Sequence, residues 1–221
     1  SDYAVSETVG KLKVKTSTAE LKVASADGEW TYDSEEHTKY EYTVTYGDDE
    51  PITVTIAEGE TTGTATLSTG DVVTITPAES AKVTHVSEGE VENGFTWTVE
   101  NEEFYTKGED EVGTLKINPR AITVVTESDE KEYDGTALTA DGSIEVDWSD
   151  VEGKENVKVD LTAGEAAEVA LAGSEKVTVT ITGSQIPVGE SENTYEIAWG
   201  EVAESDYAVS ETVGKLKVKT S

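Results

Sequence analysis

Apolar and polar residues alternate along several short stretches of the chain, and such alternation predicts β-strands with one face buried. Clusters of turn-forming residues, among them YGDDEP, EYDGT and TADGS, separate these stretches. No stretch shows a convincing helical period. The pattern is typical of an all-β protein built from short antiparallel strands. The predicted strands are YEYTVTY, PITVTIA, GDVVTITP, SIEVDW, ENVKVDL and EKVTVTITG.

The chain repeats itself on two scales. Residues 1–17 and 205–221 have the same sequence, SDYAVSETVGKLKVKTS. At an offset of about 100 residues the two halves also align, so that Asn93 falls on Asn193. The Ala-rich stretch TAGEAAEVALAG aligns with TTGTATLSTG, whose Thr and Gly residues argue against a helix. We therefore predict a strand in both of these stretches.

These repeats predict two related β domains in tandem, within a longer periodic protein. We assign residues 1–17 to the terminal strand of a preceding repeat, residues 18–119 to a first β domain and residues 120–221 to a second. The join around Pro119 has no Ser or Gly spacer, and proline restricts the backbone on both sides of it. We expect two small antiparallel β domains arranged as an elongated rod.

The repeated KLKVK stretch has two different faces, because side chains alternate across a strand. Leu12 and Val14 lie on one face, and the lysines lie on the other. We interpret the lysines as a solvated face or a guarded strand edge. The alternative is a cationic stripe that docks on the acidic neighbouring domain.

Residues 1–17 raise a separate question, because an isolated strand leaves backbone donors and acceptors unpaired. We expect this segment to dock on the first domain or to pair with another molecule. A domain boundary permuted relative to our division is the third explanation.

Acidic residues dominate the composition. Asp and Glu number 47 against 16 Lys and Arg, which gives a formal net charge of −31 at pH 7. A surface of this sign repels phosphate backbones and anionic lipids, so we expect no nucleic-acid partner. No apolar run approaches the roughly 20 residues that span a bilayer, so we expect no membrane insertion. The absence of cysteine does not settle the compartment.

The second half of the chain resembles a known family of surface modules. The residues that carry the resemblance are AITVVTESDEKEYDGTALTADG, then VTVTITGSQIPVGESENTYEI, then DYAVSETVGKLKV. They resemble the tandem YDG or MBG repeats of large bacterial surface proteins, which implies an Ig-like sandwich or a β-grasp-like fold. The first half has Tyr32-Asp33-Ser34 in place of Tyr-Asp-Gly, and its middle is similar to collagen-adhesin B-type modules.

The resemblance implies display on the cell surface rather than catalysis. We expect a structural stalk or spacer of a Gram-positive, wall-anchored adhesin, which holds a distal binding domain away from the cell and has the neighbouring repeats as its partners. One alternative is an adhesive module that binds a host glycan or protein. Another is a fibre subunit that exchanges residues 1–17 between molecules.

Reactive side chains give little support for an enzyme. The chain has no cysteine and only two histidines, His37 and His85, and neither has a recognisable triad near it in the sequence. Four aromatic residues could form a platform on which sugars stack. Because they lie in alternating apolar stretches, we interpret most of them as core residues instead. They are Tyr32, Tyr133, Trp97 and Trp199.

Two groups of loop carboxylates are candidate calcium ligands, since Ca²⁺ prefers hard oxygen ligands. One is Asp48 with Asp49 and the neighbouring Glu50, and the other is Asp147 with Asp150. Neither follows an EF-hand loop or a repeating calcium motif. We interpret them as solvated loop acids and expect at most weak calcium binding and no other cofactor.

An internal Lys–Asn isopeptide bond, as found in Gram-positive adhesin modules, would need a buried lysine beside an asparagine. Asn93 and Asn193 occupy matched positions, but Lys131 aligns with Trp30, so no shared lysine accompanies them. An asparagine that opens a strand after a loop has an ordinary turn role. We therefore interpret both asparagines as turn residues.

Overall fold

The computed structural model describes residues 2–221, and its regular structure is almost entirely β-strand. Within this range no α-helix is present, and no helix has the length and apolar character needed to cross a bilayer. Three single-turn 3₁₀ helices span Val86–Glu88, Glu102–Phe104 and Glu204–Asp206. The all-β class predicted from the alternating stretches is confirmed.

The strands follow the predicted pattern closely. Each predicted stretch contains a strand, and so does the Ala-rich stretch, at Ala167–Ala170. In the first half of the chain the strands are β1 (Glu20–Ser25), β2 (Gly28–Thr31), β3 (Glu41–Tyr46), β4 (Ile52–Thr55), β5 (Gly63–Thr66), β6 (Val72–Pro77), β7 (Val91–Glu92), β8 (Phe95–Val99), β9 (Thr106–Lys107) and β10 (Thr114–Asn118). In the second half they are β11 (Arg120–Thr126), β12 (Asp129–Glu132), β13 (Gly142–Val146), β14 (Val157–Leu161), β15 (Ala167–Ala170), β16 (Lys176–Ile181), β17 (Gly189–Glu192), β18 (Tyr195–Ala198), β19 (Tyr207–Thr212) and β20 (Lys215–Lys219).

The chain folds into two compact units, and they divide it differently from the boundary predicted between residues 119 and 120. Unit 1 comprises the chain up to Asp27, together with Lys39–Ala81 and Glu92–Thr114. Unit 2 comprises Gly28–Thr38, Lys82–Val91 and Leu115–Ser221.

Side-chain packing explains why parts of the predicted first domain belong to unit 2. Tyr32, Val83, Leu115 and Ile117 are buried in the same apolar cluster as Trp148. In addition, β2 and β10 pair with each other in parallel, so the segments that carry these residues are held together. The core that a strand joins is set by this long-range packing, which the local alternation of residues does not encode.

Unit 1 contains two sheets, with strand orders β4-β3-β1-β9 and β5-β6-β8. The pairs β1–β3, β3–β4, β5–β6 and β6–β8 are antiparallel. Because side chains alternate along each strand, both sheets direct apolar residues into one shared core. Its buried members are Leu21, Val23, Tyr42, Val44, Val54, Ile56, Ala65, Leu67, Val73, Ile75, Val99 and Tyr105.

Unit 2 is built around two sheets that share a core, with strand orders β14-β13-β11-β19 and β15-β16-β18. A further sheet, β12-β20-β17, buries the smaller cluster of Leu138, Leu216 and Val218. The pair β2–β10 lies in a sheet of order β2-β10-β7.

Four of the six described sheets contain a parallel pair, whereas purely antiparallel sheets were expected. These parallel pairs are β1–β9, β2–β10, β11–β19 and β12–β20. In the second repeat, the strands that open the module (β11 and β12) lie beside the strands that close it (β19 and β20). Because these opening and closing strands are neighbours and run in the same direction, β11 pairs with β19 and β12 pairs with β20 in parallel.

Residues 2–16 form no strand, although a terminal strand was predicted there, and their side chains are exposed. Among the described residues, only the end of this segment is hydrogen-bonded to the rest of unit 1. The backbone N–H of Ser17 donates to the carbonyl of Phe104 at 2.9 Å, and the Thr16 hydroxyl donates to the carbonyl of Glu103 at 3.2 Å. The expected docking on the first domain is therefore limited to these last residues. Ser1 lies outside the described residues.

Candidate functional site

The segment 205–221, here called the closing segment, forms two strands in unit 2 rather than one. Strand β19 pairs in parallel with β11, from Arg120↔Tyr207 to Val125↔Thr212. Strand β20 lies between β12, to which it is parallel, and β17, to which it is antiparallel. The closing segment thus supplies the edge of one sheet and the centre of another.

Alternation along β20 places its two kinds of side chain on opposite faces. Leu216 and Val218 are buried, whereas the three lysines are exposed, so the predicted solvated lysine face is confirmed. Lys215 lies 3.1 Å from Glu190 on β17, and Lys219 lies 2.7 Å from Glu130 on β12. Such exposed ion pairs contribute little to stability, so the closing segment is held mainly by backbone pairing and by its apolar face.

A buried polar cluster fixes the point where β19 gives way to β20. The side-chain amide of Asn193 donates to the carbonyls of Glu127 at 2.9 Å and Ala140 at 3.0 Å. Its backbone N–H donates to the carbonyl of Gly214 at 2.8 Å, and the N–H of Gly214 donates to Thr126 Oγ1 at 2.9 Å. One fully buried asparagine thereby ties together three separate segments of the chain.

Unit 1 contains the same cluster at the aligned positions. The amide of Asn93 donates to the carbonyls of Ala26 at 2.8 Å and Lys39 at 2.7 Å. The N–H of Gly113 donates to Ser25 Oγ at 2.9 Å. Asn93 and Asn193 are therefore buried braces between distant segments, and the expectation that they act as local turn residues is wrong. Alignment of the two halves identified the pair, but not its role.

Lys131, the lysine considered for an isopeptide bond, is bound within the YDGT loop. Its Nζ donates to Asp134 at 2.8 Å and to Thr136 Oγ1 at 2.7 Å. Hydrogen bonds from the Lys131 ammonium and from the backbone N–H and the hydroxyl of Thr136 hold the pKa of the Asp134 carboxyl well below its ordinary value. The Asn193 amide donates both of its hydrogens to backbone carbonyls, so Lys131 and Asn193 each have hydrogen-bond partners of their own.

Three of the candidate calcium ligands, Asp49, Asp147 and Asp150, have other partners. Asp49 accepts a hydrogen bond from Ser68 at 2.6 Å, and Asp48 is exposed. Asp147 accepts the backbone N–H of Ser149 at 2.8 Å, and Asp150 binds an arginine. Across residues 2–221, no three His, Asp or Glu side chains are grouped as they would be around a metal ion.

That arginine, Arg120, is a buried residue whose role the sequence analysis missed. It opens β11, and the alternation of that strand turns it inward, where it is 1% exposed. Its Nε donates to the carbonyl of Tyr32 at 2.7 Å, and its Nη1 donates to that of Asp147 at 2.5 Å. Both Nη atoms bind the Asp150 carboxylate, at 2.7 and 3.1 Å. The guanidinium also lies 3.7 Å from the ring centre of Trp148.

Each histidine has a carboxylate partner that the sequence analysis did not identify. His37 Nε2 lies 2.9 Å from Asp33, and His85 Nδ1 lies 2.7 Å from Asp206. Asp206 is fully buried and also accepts the backbone N–H of Val86 at 2.8 Å. Among residues 2–221, no hydroxyl is hydrogen-bonded to either imidazole. Each imidazole is therefore held by a carboxylate, and the hydroxyl that a catalytic triad would place beside it is not found among these residues.

The four aromatic residues have different environments. Tyr32 is buried, as expected for a core residue, and its ring lies 5.4 Å from that of Tyr207 in an edge-on arrangement. Tyr133 is 47% exposed, so the core interpretation does not extend to it. Trp97 and Trp199 are half-buried. Trp97 belongs to unit 1 and the other three residues belong to unit 2.

Two tyrosines of unit 2 share one carboxylate. Tyr32 donates to Glu175 at 3.1 Å, and Tyr207, which belongs to the closing segment, donates to it at 2.7 Å. Burial, together with the charge of Glu175, raises the pKa of both phenols well above the ordinary value of 10.0. The closing segment is thus tied to Tyr32 through a hydrogen-bonded network within unit 2.

These raised pKa values predict that unit 2 loses stability in alkali. Below about pH 10 both phenols are protonated in the folded and unfolded states, so they cause no pH dependence. Above it, only the unfolded state releases their protons, and the free energy of unfolding falls by up to about 1.4 kcal/mol per pH unit for each phenol. Denaturation titrations between pH 9 and 12 measure this slope.

Two variants isolate the contribution of these tyrosines. The double variant Tyr32→Phe/Tyr207→Phe is expected to be less stable at pH 7 but to show a shallower alkaline slope. Tyr133→Phe, which changes an exposed tyrosine of the same unit, is the control and is expected to keep the original slope. Equal slopes in all three proteins would contradict the assignment.

Comparisons with protein-family models, with curated proteins and with solved structures gave no match to this chain.

Proposed function

We propose that this chain is a load-bearing stalk or spacer segment of a bacterial cell-surface adhesin. In this proposal it lies outside a Gram-positive cell, is anchored through the wall, and holds a distal binding domain away from the surface. The identical segments at 1–17 and 205–221 and the resemblance to YDG or MBG repeats support a tandem array. The observation that carries the mechanical part is the parallel pairing of the opening and closing strands.

Parallel pairing determines how unit 2 meets a pulling force. A load that enters at β11 and leaves beyond β20 pulls two neighbouring parallel strands in opposite directions. All hydrogen bonds between β11 and β19 and between β12 and β20 are then sheared together. In a hairpin pulled from its open end, the bonds instead break one at a time. Shear therefore distributes the load and raises the barrier to forced unfolding.

Unit 1 has a weaker version of this arrangement. Its parallel pair β1–β9 spans only Glu20↔Thr106 and Leu21↔Lys107, followed by an isolated bridge between Ala24 and Glu111. With fewer sheared bonds, unit 1 is expected to unfold at a lower force than unit 2.

The acidic surface supports the same role. A formal net charge of −31 makes neighbouring copies of the chain repel one another, which opposes lateral association and collapse of an extended array.

Single-molecule force spectroscopy on the whole chain tests this proposal. We expect two unfolding events, with unit 2 unfolding at the higher force.

Proline variants of β19 test the role of its parallel pairing. Alternate N–H groups of an edge strand face the neighbouring strand, so proline at one of two successive residues must interrupt the hydrogen bonds between the two strands. Among Ala208→Pro and Val209→Pro, at least one is therefore expected to lower the unfolding force of unit 2 by half or more.

The repeated segment supplies matched controls for these variants. Ala4→Pro and Val5→Pro make the same changes in the identical sequence at the other end of the chain, where no strand forms. Both are expected to leave the forces unchanged. Extension of unit 2 without a resolved force peak would refute a load-bearing role.

A further inference from the structure

Residues 2–16 carry the sequence of two strands but form neither of them. Leu12 and Val14 are 104% and 79% exposed, whereas their copies in the closing segment, Leu216 and Val218, are 0% and 2% exposed. Burial of Leu216 and Val218 stabilises β20 in unit 2, but the identical residues Leu12 and Val14 gain no such stabilisation. These two apolar side chains fit a known place in unit 2 and remain exposed to solvent.

We propose that residues 2–17 act as a donor segment that completes unit 2 of a second copy of this chain. The donor occupies the positions that β19 and β20 hold in the structure. Because the two segments are identical at every position, each contact of the closing segment has its counterpart in the donor. The inference needs only this identity and the observed fit, and it does not depend on a role as a stalk.

The apolar contacts of the donor follow residue by residue. Leu12 and Val14 take the places of Leu216 and Val218 against Leu138. Tyr3 takes the place of Tyr207, whose hydroxyl binds Glu175. Each of these side chains passes from a highly exposed to a buried position.

The polar contacts fit equally well. Lys11 and Lys15 take the places of Lys215 and Lys219, which pair with Glu190 and Glu130. A basic donor strand thus lies between two strands that carry acidic residues.

Gly10 sets the register of the donor. Its counterpart Gly214 fits against the backbone of Glu127 so closely that a Cβ atom there would lie 2.3 Å from the carbonyl carbon. The donor therefore fits only with this glycine opposite Thr126 and Glu127. A shift by one residue would also turn Leu12 and Val14 to the solvent face.

Such an exchange joins different surfaces of two molecules, namely the donor of one and unit 2 of the next. Where the closing segment is displaced, each molecule in such a contact still has either its own donor or its own acceptor site unused, so the contact is of the kind that builds open chains or rings. Since a resident closing segment competes for the same place, exchange is expected where that segment is disabled.

Four proteins of 221 residues test the proposal: the unchanged sequence (wild type), Leu12→Asp/Val14→Asp, Leu216→Asp/Val218→Asp, and the variant with all four changes. Light scattering over a range of concentrations gives the mass, and tryptophan fluorescence reports whether unit 2 is folded. Leu216→Asp/Val218→Asp is expected to retain folded unit 2 and to reach at least twice the monomer mass of 23.6 kDa as concentration rises. The fourfold variant is expected to have an unfolded unit 2, and Leu12→Asp/Val14→Asp is expected to match the wild type.

A synthetic peptide of residues 1–17 provides a second measurement on the Leu216→Asp/Val218→Asp protein. The peptide is expected to convert the oligomers into folded monomers, and the same peptide with Gly10→Ala is expected to have no effect. The proposal is overturned if unit 2 of that protein is unfolded at every concentration, if it is folded as a monomer without peptide, or if the peptide does not restore a monomer.

Discussion

Replacing Gly214 by alanine is expected to destabilise unit 2 by about 3 kcal/mol or more. The new Cβ atom would lie 2.3 Å from both the carbonyl carbon and oxygen of Glu127, which are backbone atoms and cannot rotate away. Moving Gly214 to relieve this overlap would break its hydrogen bonds with Thr126 and Asn193. Chemical denaturation followed by tryptophan fluorescence measures the loss. In a Trp97→Phe background, all remaining tryptophans belong to unit 2.

The identical segment at the other end of the chain gives an unusually close control. Gly10 has the same neighbours in sequence as Gly214, but a Cβ atom on Gly10 would meet no atom within 4 Å. Gly10→Ala is therefore expected to leave stability unchanged. If both substitutions had the same effect, the cost would come from the local sequence rather than from the contact with Glu127.

The two polar clusters show that the internal duplication extends to buried hydrogen bonds. Asn93 and Asn193 each join two backbone carbonyls, and Gly113 and Gly214 each donate to a hydroxyl of the module's first long strand. Each asparagine gives both carbonyls a donor, while its own buried Oδ1 has no hydrogen-bond partner among residues 2–221. The duplicated positions are the ones that fix where the closing strands bend.

Strands were predictable from the sequence because their signal is local. Tyr42, Val44, Val73 and Ile75 alternate with polar residues, and all four are buried as the alternation requires. The division of the closing segment into β19 and β20 was not predicted, although the sequence marks it: Val209 and Val213 fall on odd positions, whereas Leu216 and Val218 fall on even ones. The close contact of Gly214 with Glu127, which lies far away in sequence, explains why a glycine stands at this break.

The candidate sites were less predictable than the strands because their partners lie far apart in the chain. Asp206 lies 121 residues from His85, and Tyr32 lies 143 residues from Glu175. Among so many carboxylates, sequence alone gives no reason to choose these two. Arg120 did carry a usable signal, because it falls on the buried side of the alternation in β11.

Replacing Arg120 by leucine is expected to destabilise unit 2 by roughly 3 kcal/mol, because it leaves the carbonyls of Tyr32 and Asp147 without their donor. Packing against Trp148 is only partly replaced by the shorter apolar side chain. Arg120→Lys keeps the charge but cannot make the paired contact with Asp150, so its effect is expected to be intermediate. The free energy of unfolding in urea at pH 7 measures both effects.

Lys154 is the matched control for the Arg120 variants, because its ammonium lies 3.0 Å from the centre of the same Trp148 ring but is exposed. Lys154→Ala is expected to cost at most about 1 kcal/mol of unfolding free energy.

The stability of unit 2 at acid pH gives an independent check, since the hydrogen bonds from Arg120 lower the pKa of the Asp150 carboxyl. Their stabilising effect is present above the ordinary pKa of about 4 and is lost as the pH falls through the lowered value. Arg120→Leu should therefore lose less stability than the wild type between pH 4 and pH 2, and an unchanged acid slope would show that the ion pair does not contribute.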